Sequence, residues 1–595
     1  MLKFDVIITL DVITLLKERR FPMNYDKYPE IKINGFDNDV FKDKYAIIEK
    51  ISQYKEQAHF CLTVECYPGV YDEIYDLIYE AYEPDVVIRS EDIFYDKETL
   101  NHMMQPHLTD DRVRGVMYYG NMEDFVDQKE LSKKKDLLSL PQKILIYGVG
   151  ASLISRGDVY IYCDLARWEI QLRYRSGMPN FKQDNDHEDS LKKIKRGFFI
   201  EWRIADKQKI KMFDEIDFLI DSNIIHHPKM ITGDALRGGL KQVVKRPFRL
   251  VPYFDPGVWG GQWMKEHCGL DPKKDNYAWS FDGVPEENSL YLKYDETRIE
   301  IPAMDLVLYQ PIALLGMKNY CRFGAEFPIR FDFLDTMDGQ NLSLQVHPLT
   351  EYIKSHFGMT YTQDESYYIL DCKEDGGVYL GLKDNISPQE MIEDLKMAQT
   401  GQKPFDANHY VNFFKAKKHD HFLIPAGTVH CSSKNCMVLE ISATPYIFTF
   451  KLWDWDRVGL DGLPRPIHIE DGQKNIQWDR TTQWVKDNLV NHIEIIHDED
   501  DYKEEKTGLH ELEFIETRRF TTKEKTYHDC QDGVHMLNLV EGSSAVIESP
   551  THAFEPFIVH YAETFIVPSI VKEYTVRPEQ GQETIQFIKA YVRQR

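Results

Sequence analysis

Three short segments between residues 342 and 430 each carry a candidate metal ligand at a strand edge or turn. The segments are LSLQVHP (342–348), DESYYIL (364–370) and FLIPAGTVH (422–430). Imidazole nitrogen and carboxylate oxygen are ligands that zinc accepts besides thiolate, and a catalytic zinc site uses three protein ligands. His347, Glu365 and His430 therefore predict a two-histidine, one-carboxylate site on a β scaffold.

Gln345 extends this candidate set. It lies two residues before His347, so in an extended strand both side chains point to the same face. Pro348 ends that strand, and the turn at residues 425–427 comes just before His430, which predicts both histidines at a barrel mouth. Taken singly, each histidine is more simply a hydrogen-bonded residue at a strand end; the three segments together favour the metal.

The hydrophobic pattern changes near residue 240. Before it, strand-like runs alternate with charged, helix-permissive stretches, which predicts an α/β region with a parallel or mixed sheet. These runs are VIITL (6–10), FCLTVECY (60–67), KILIYGVG (143–150) and DVYIYCDL (158–165).

From Phe248 onward, short β-like segments alternate with turn residues. Between Phe331 and Arg457 the alternation is clear and has the pattern of an antiparallel double-sheet or jelly-roll barrel. A helical insert is predicted at residues 387–399, with Ser387 as its N-cap and Pro388 in its first turn. The acidic run at residues 494–506 predicts a solvated loop or linker.

A weak internal repeat predicts a second barrel. FLIPAG (422–427) is similar to FIVPS (565–569), and YYILDCKEDG (367–376) to MLNLVEGSS (536–544). The second copy has Glu573 where the first has His430, so only the first is predicted to bind metal. The predicted domains are an α/β domain at 1–240, a metal-binding barrel at 241–460 and a metal-free barrel at 461–595.

Two features of the first 240 residues suggest phosphate binding. The strand at 143–150 runs into Gly148, Gly150 and Ser152, whose backbone N–H groups could face a phosphate. It lacks both the P-loop ending and a third glycine, so a plain turn is favoured. Arginine-aromatic clusters at 167–180 and 192–203 vaguely resemble the lid of nucleotide monophosphate kinases, or form a solvated basic face. The region is predicted to bind nucleotide or to be accessory.

Charge and composition narrow the partners. A net charge of -25 over 595 residues disfavours nucleic acid and membrane surfaces as partners. The apolar start is interrupted by Asp5 and Asp11, so it predicts a buried element rather than a signal or a membrane span. Nine scattered cysteines favour reduced thiols in the cytoplasm.

The ordered motifs LSLQVHP, ESYYIL, IPAGTVH, VLEIS and DWDR resemble the type I mannose-6-phosphate isomerases, particularly their short bacterial form. The resemblance begins at GVWGG (257–261) and continues through RPIHIED (465–471) into the second barrel. It implies a cytoplasmic, zinc-dependent aldose-ketose isomerase of the cupin class that interconverts mannose 6-phosphate and fructose 6-phosphate through a cis-enediol. By position, His347, Glu365 and His430 match the zinc ligands, and Gln345 matches a further ligand of some members.

The chain departs from this family at two positions. Lys451 stands where the family usually has an arginine, and Asp332 where it has a pocket lysine, although Arg330 has the same strand parity. Lys451 and Arg330 are therefore the predicted cations for the phosphate or the enediolate, unless each is an ordinary exposed cation.

Several alternatives remain open at this point. The chain is a related isomerase with another sugar phosphate, a non-catalytic metal-binding sensor of sugar phosphates, or a bifunctional protein with a working kinase. Iron, manganese and nickel also suit the ligand set. The proton-transfer base and the oligomeric state are not assigned.

Overall fold

The computed structural model describes residues 24–443, 448–460, 462, 465–581 and 584–593, so the strand-like run predicted at 6–10 lies outside the described residues. Among the described residues, no helix is both long enough and apolar enough to cross a bilayer. The strands of this part of the chain form six sheets.

Eight strands, β1 to β8, precede residue 240. They are Glu30–Ile33, Val40–Phe41, Phe60–Cys66, Val86–Arg89, Lys143–Gly148, Val159–Asp164, Phe218–Asp221 and Lys229–Thr232. The helices among them are Lys44–Ser52, Glu73–Tyr82, Lys97–Leu108, Gln128–Asp136, Arg167–Arg175, Ser190–Arg196, Trp202–Met212 and Gly233–Val243. A π-helical segment, Gly197–Glu201, joins the sixth helix to the seventh.

Seven of these strands form one mixed sheet in the order β2-β8-β7-β6-β3-β5-β4. The strands from β7 to β4 are parallel, while β8 runs antiparallel to β7 and to β2. Every residue of β6 is buried, as expected for a central strand covered on both faces. The predicted strand-like runs at 60–67, 143–150 and 158–165 fall on β3, β5 and β6.

Thirteen strands, β9 to β21, follow residue 250. They are Tyr253–Asp255, Trp279–Gly283, Ser289–Tyr294, Thr297–Pro302, Arg330–Asp335, Leu344–Val346, Asp364–Cys372, Gly377–Leu382, Val411–Lys415, His421–Ile424, His430–Ser432, Cys436–Ala443 and Phe450–Trp453. The helices between and after them are Trp263–His267, Ala303–Tyr309, Pro311–Leu315, Met317–Phe323, Thr350–Phe357, Pro388–Gln399, Ala407–Tyr410, Ile469–Asn475 and Thr482–Asn488.

Most of these strands build a first antiparallel two-sheet barrel. Its sheets have the orders β18-β15-β20-β13-β10-β9 and β17-β16-β19-β14-β21. The helical insert occurs as Pro388–Gln399, and the Ser387 side chain accepts a hydrogen bond from the Glu390 N–H, which confirms the predicted N-cap.

The boundary predicted near residue 240 lies at the end of the helix Gly233–Val243. The division into domains at this residue stays a prediction, because residues from the two sides of the boundary pair in one sheet. Strand β1 pairs in parallel with β11, and β11 pairs with β12, so residues 30–33 complete a sheet made mainly by residues after 288.

The last ten strands, β22 to β31, form a second antiparallel two-sheet barrel. They are Glu494–Glu499, Tyr502–Gly508, Ile515–Thr522, Thr526–Asp529, His535–Glu541, Ser544–Glu548, Phe557–His560, Thr564–Val567, Glu573–Pro578 and Ile585–Val592. Its sheets have the orders β29-β26-β31-β24-β23-β22 and β28-β27-β30-β25. These orders repeat those of the first barrel strand for strand, beginning with β29 as the counterpart of β18. The first barrel has one additional strand, β21.

The acidic run at 494–506 is not the predicted loop. It forms the hairpin of β22 and β23. The prediction was wrong because β22 is an edge strand whose residues are mostly exposed, so its charged side chains reach water from either face. Charges on an edge strand also disfavour pairing with another chain.

A buried lysine connects the mixed sheet to a helix that lies between strands β10 and β13 of the first barrel in the chain. Lys209 is 2% exposed, and its Nζ lies 2.6 Å from Asp164 and 2.7 Å from Asp305. Asp164 ends β6, whereas Asp305 belongs to the helix Ala303–Tyr309. Removing one partner from a buried ion pair leaves an uncompensated charge, which is strongly destabilising.

We therefore expect Lys209→Met to lower the free energy of unfolding by about 3 kcal/mol or more, since it leaves the buried Asp164 and Asp305 without their cation. Lys211→Met is the matched control, because Lys211 lies on the same helix and pairs with Glu123 while 46% exposed. Urea unfolding of the full chain measures both variants. Equal losses in the two would contradict a structural role for Lys209.

Candidate metal centre

The two sheets of the first barrel bring His347, Glu365 and His430 together. His347 directly follows β14, Glu365 is the second residue of β15, and His430 begins β19. Strands β14 and β19 are neighbours in one sheet, while β15 belongs to the other. All three side chains are fully buried, and one potential ligand atom from each lies within 4.8 Å of the others.

Both imidazoles direct Nε2 toward the same carboxylate. Nε2 of His347 lies 3.1 Å from Oε2 of Glu365, and Nε2 of His430 lies 2.8 Å from Oε1. Nε2 of His347 and Oε1 of Glu365 have no hydrogen bond of normal geometry to any described residue. Since buried polar atoms are normally partnered, this donor set fits a cation.

Backbone carbonyls fix the tautomer of both histidines. Nδ1 of His347 lies 3.0 Å from the Phe448 carbonyl oxygen, and Nδ1 of His430 lies 2.9 Å from that of Thr428. A carbonyl only accepts, so each Nδ1 carries the proton and each Nε2 keeps its lone pair for the centre. This is the arrangement that metal-ligating histidines require.

The electrostatics of the site also suit a cation. Burial works to raise the pKa of Glu365, but His347 and His430 outweigh it and hold that pKa well below its usual range. Burial lowers the pKa of His430. The Glu365 carboxyl group is therefore ionised, which is the form that binds a metal ion.

Gln363 supports the centre and was missed by the sequence analysis. Its Nε2 donates to Oε2 of Glu365 at 2.8 Å, and its Oε1 accepts from the Phe448 N–H at 2.7 Å. One side chain thus holds both the carboxylate and the backbone that orients His347. Its spacing of two residues from Glu365 was the available signal, since such residues share a strand face.

Gln345 lies at the edge of the centre. It pairs across strands with His430, and its Nε2 is 3.2 Å from Nε2 of His430. The two ends of an amide group are assigned from their surroundings, and a flip would turn Oε1 toward the centre. Its role as a further ligand stays a prediction.

Lys451 lies directly opposite Gln345 on the neighbouring strand. Strand β21 pairs it with Gln345, and β14 pairs Gln345 with His430, so the three side chains share one face. Burial, with Arg465 nearby, lowers the pKa of Lys451 to about 7. The structure therefore places this predicted cation beside the candidate metal centre.

Arg330 faces the centre from the opposite sheet. It pairs across strands with Ser442, which pairs with Glu365. Arg330 is 1% exposed and donates from Nη2 to Asp332 at 3.1 Å, while Nε and Nη1 have no partner among the described residues. Burial raises the pKa of Asp332 to about 7, and burial with Asp332 nearby raises that of Glu440 well above its usual range.

A loop from the first 240 residues reaches this barrel, which the sequence analysis did not predict. The Arg114 guanidinium lies 5.3 Å from the ring of Phe448 and 5.2 Å from that of Phe450. Nη1 of Arg114 is 3.0 Å from Nδ1 of His468, whose backbone N–H donates to the Lys451 carbonyl. No local pattern around Arg114 signals a contact 354 residues away.

A cleft of about 520 Å³ adjoins the centre at Asp364, the residue before Glu365. Arg322, Thr362 and Glu513 also line it. Its size lies within the range of small-molecule sites.

The predicted phosphate-binding features before residue 240 are engaged internally. The Glu65 carboxylate accepts from the N–H groups of Gly150 at 2.5 Å and Ser152 at 2.8 Å. In the arginine clusters, Arg167 pairs with Glu286 at 2.6 Å, and Arg196 with Glu201 at 2.7 Å. Nucleotide binding by this region stays a prediction.

A family model described as a domain of unknown function, DUF8485, matches residues 44–245. The probable mannose-6-phosphate isomerase GmuF of Bacillus subtilis is 28% identical over 232 residues, covering 39% of this chain and 68% of that protein. The mannose-6-phosphate isomerase ManA of the same organism is 30% identical over 231 residues, covering 38% of this chain and 66% of that protein.

The chain is therefore homologous to bacterial mannose-6-phosphate isomerases over about 38% of its length, and spans about two thirds of theirs. Among solved structures, a mannose 6-phosphate isomerase from Bacillus subtilis aligns with a TM-score of 0.47 at 18% identity. That alignment covers 58% of this chain and 99% of the other.

We expect Gln363→Ala to weaken the binding of a divalent metal ion at this centre by about 10- to 100-fold, because it frees the Glu365 carboxylate and the Phe448 backbone that positions His347. Competition against a chromophoric chelator measures the affinity. Gln483→Ala, at an exposed glutamine that hydrogen-bonds Asp487, is the control. Unchanged affinity in Gln363→Ala would show that the ligands do not depend on this support.

Proposed function

We propose that this chain is a metal-dependent aldose-ketose isomerase that interconverts mannose 6-phosphate and fructose 6-phosphate. The observation that carries the proposal is the pair of histidines held with Nε2 toward one buried carboxylate, in a segment homologous to mannose-6-phosphate isomerases. Zinc is the proposed metal, held by His347, Glu365 and His430 with Gln345 as a further ligand.

The proposed reaction moves a proton between C1 and C2 of the sugar through a cis-enediol. When bound, a divalent metal supplies Lewis-acid stabilisation of negative charge on sugar oxygens. The carbonyls of Phe448 and Thr428 hold a proton on Nδ1 of each imidazole, which leaves Nε2 of both rings to bind the metal.

Lys451 and Arg330 are the proposed cations for the anionic groups of the substrate. Lys451 pairs across strands with Gln345. Arg330 and Glu365 both pair with Ser442, which lies on the strand between them. A lysine binds an oxyanion as a point charge, whereas an arginine offers a planar fork. The cleft beside Asp364 is the proposed access for the sugar.

A non-catalytic sensor of sugar phosphates is the second candidate. The loss of an arginine and a lysine favours it, because Lys451 stands where related isomerases usually have an arginine, and Asp332 stands where they have a pocket lysine. The assay below separates the two functions.

We expect the zinc-loaded full chain to convert mannose 6-phosphate to fructose 6-phosphate in a coupled assay, and His430→Ala to reduce the rate to background. His409→Ala, at an exposed histidine of the same barrel, should retain activity. Zinc-loaded wild-type protein that is no faster than His430→Ala would rule out the isomerase and leave the sensor.

The dependence of kcat/KM on pH should show the titration of Lys451. Its pKa of about 7 lies below the usual lysine value, so the ammonium loses its proton above pH 7. If the charged form binds substrate, kcat/KM falls about tenfold per pH unit above that point. Lys451→Arg stays charged and should remove the decline, whereas Lys451→Met should be slow throughout. An identical decline in Lys451→Arg would assign it to another group.

A further inference from the structure

A cavity of about 230 Å³ lies in the second barrel, for which the sequence analysis predicted no ligand. Its lining includes His528, His535 and Lys589, together with Arg518, Tyr591 and two acids, Glu504 and Asp529. His528 is 5% exposed, His535 is 2% exposed and Lys589 is 8% exposed, so the polar groups are buried within the barrel.

The cavity corresponds in topology to the candidate metal centre. The centre uses residues on or next to β14, β15 and β19, whose counterparts in the second barrel are β25, β26 and β30. His528 lies on β25, His535 begins β26, and Tyr574 lies on β30 and contacts His535. The same position of the repeated fold thus carries a different set of polar groups.

Hydrogen bonds define the proton positions around Lys589. Its Nζ lies 3.3 Å from Nδ1 of His528, and Nε2 of that ring lies 2.8 Å from the Thr526 hydroxyl. The hydroxyl donates to the Val576 carbonyl at 3.0 Å. The Thr526 oxygen therefore accepts from Nε2–H of His528, which leaves Nδ1 to accept from the Lys589 ammonium.

Lys589 has no acidic partner among the described residues. The nearby acids, Glu504 and Glu516, both pair with Arg518, at 2.5 and 2.6 Å. An ammonium offers three donors, and His528 takes one. Burial lowers the pKa of Lys589 to about 8, so the group still carries most of its charge at neutral pH. The ammonium also lies 4.7 Å from the ring centre of Phe520 and 5.5 Å from that of Tyr591, so its neighbours are aromatic rings and an imidazole, and none is a paired carboxylate.

His535 offers a second group to the cavity. Its Nδ1 lies 2.9 Å from the Tyr574 hydroxyl, and its Nε2 makes no hydrogen bond to another residue in the described part of the chain. When the hydroxyl donates, the ring carries its proton on Nε2. The cavity then presents an ammonium and an N–H donor.

We propose that the second barrel binds a small oxyanion of the phosphate class, with Lys589 as its counterion and His535 as a hydrogen-bond donor. The oxyanion is inorganic phosphate or the phosphate group of a small phosphorylated molecule. The cavity is smaller than typical sites for drug-sized ligands, which restricts the ligand to this size. The inference does not depend on isomerase activity.

Calorimetric titration of the full chain with inorganic phosphate tests the proposal. The titration is done in a His430→Ala background, which disables the candidate metal centre and leaves the second barrel intact. We expect phosphate to bind there, and Lys589→Met to raise the Kd by at least about tenfold. Lys523→Met, at an exposed lysine of the same barrel that pairs with Asp501, should leave the Kd unchanged.

Folding of the variant is checked by thermal unfolding. Replacing a buried, uncompensated cation with a neutral side chain of similar length is expected to keep or raise stability. His535→Phe is the second variant and should also weaken binding, because it removes the donor. Absence of phosphate binding in the His430→Ala background, or an unchanged Kd in both Lys589→Met and His535→Phe, would overturn the proposal.

A parallel titration with mannose 6-phosphate distinguishes the two sources of the oxyanion. Tighter binding than inorganic phosphate, lost in Lys589→Met, supports a phosphorylated sugar as the ligand. Equal or weaker binding, also lost in that variant, supports inorganic phosphate.

Discussion

The candidate metal centre depends on two hydrogen bonds between histidine side chains and the backbone. The carbonyls of Phe448 and Thr428 hold His347 and His430 with Nε2 toward Glu365. These carbonyls occupy their positions because the strands around them pair in a fixed register, so the chemistry of the centre is set by the sheets. Gln363 connects the Glu365 carboxylate to the backbone that orients His347, since it hydrogen-bonds both that carboxylate and the Phe448 N–H.

Strand parity and residue type were enough to predict the parts of the site that are local in sequence. The spacing of Gln345 and His347 predicted a shared face, and the segments around Glu365 and His430 supplied the other ligand types. Gln363 and Arg114 could not be predicted in the same way, because their partners lie 85 and 354 residues away and depend on packing. The hairpin at 494–506 was missed because charge was taken as a signal for a loop, whereas an edge strand tolerates it.

The internal repeat corresponds to a common topology, but the two copies differ in charge. The first has an anionic carboxylate between two imidazoles, and the second has the ammonium of Lys589 beside the imidazole of His528. A similar substitution occurs before residue 240, where the carboxylate of Glu65 occupies the backbone donors of Gly150 and Ser152. There the side chain of Glu65 supplies the negative charge that a phosphate would bring, and the local sequence motif alone does not reveal it.

The contact of Arg114 with the first barrel has a thermodynamic consequence. The loop that carries Arg114 also forms a backbone hydrogen bond from the Met117 N–H to the Phe357 carbonyl and a contact between the Asp111 carboxylate and Nε2 of His468, at 2.9 Å each. His468 is in turn bonded to the strand of Lys451. Binding of a molecule to the first 240 residues, if it shifts this loop, is therefore energetically coupled to the candidate metal centre. By reciprocity, occupancy of that site changes the affinity for the molecule by the same factor.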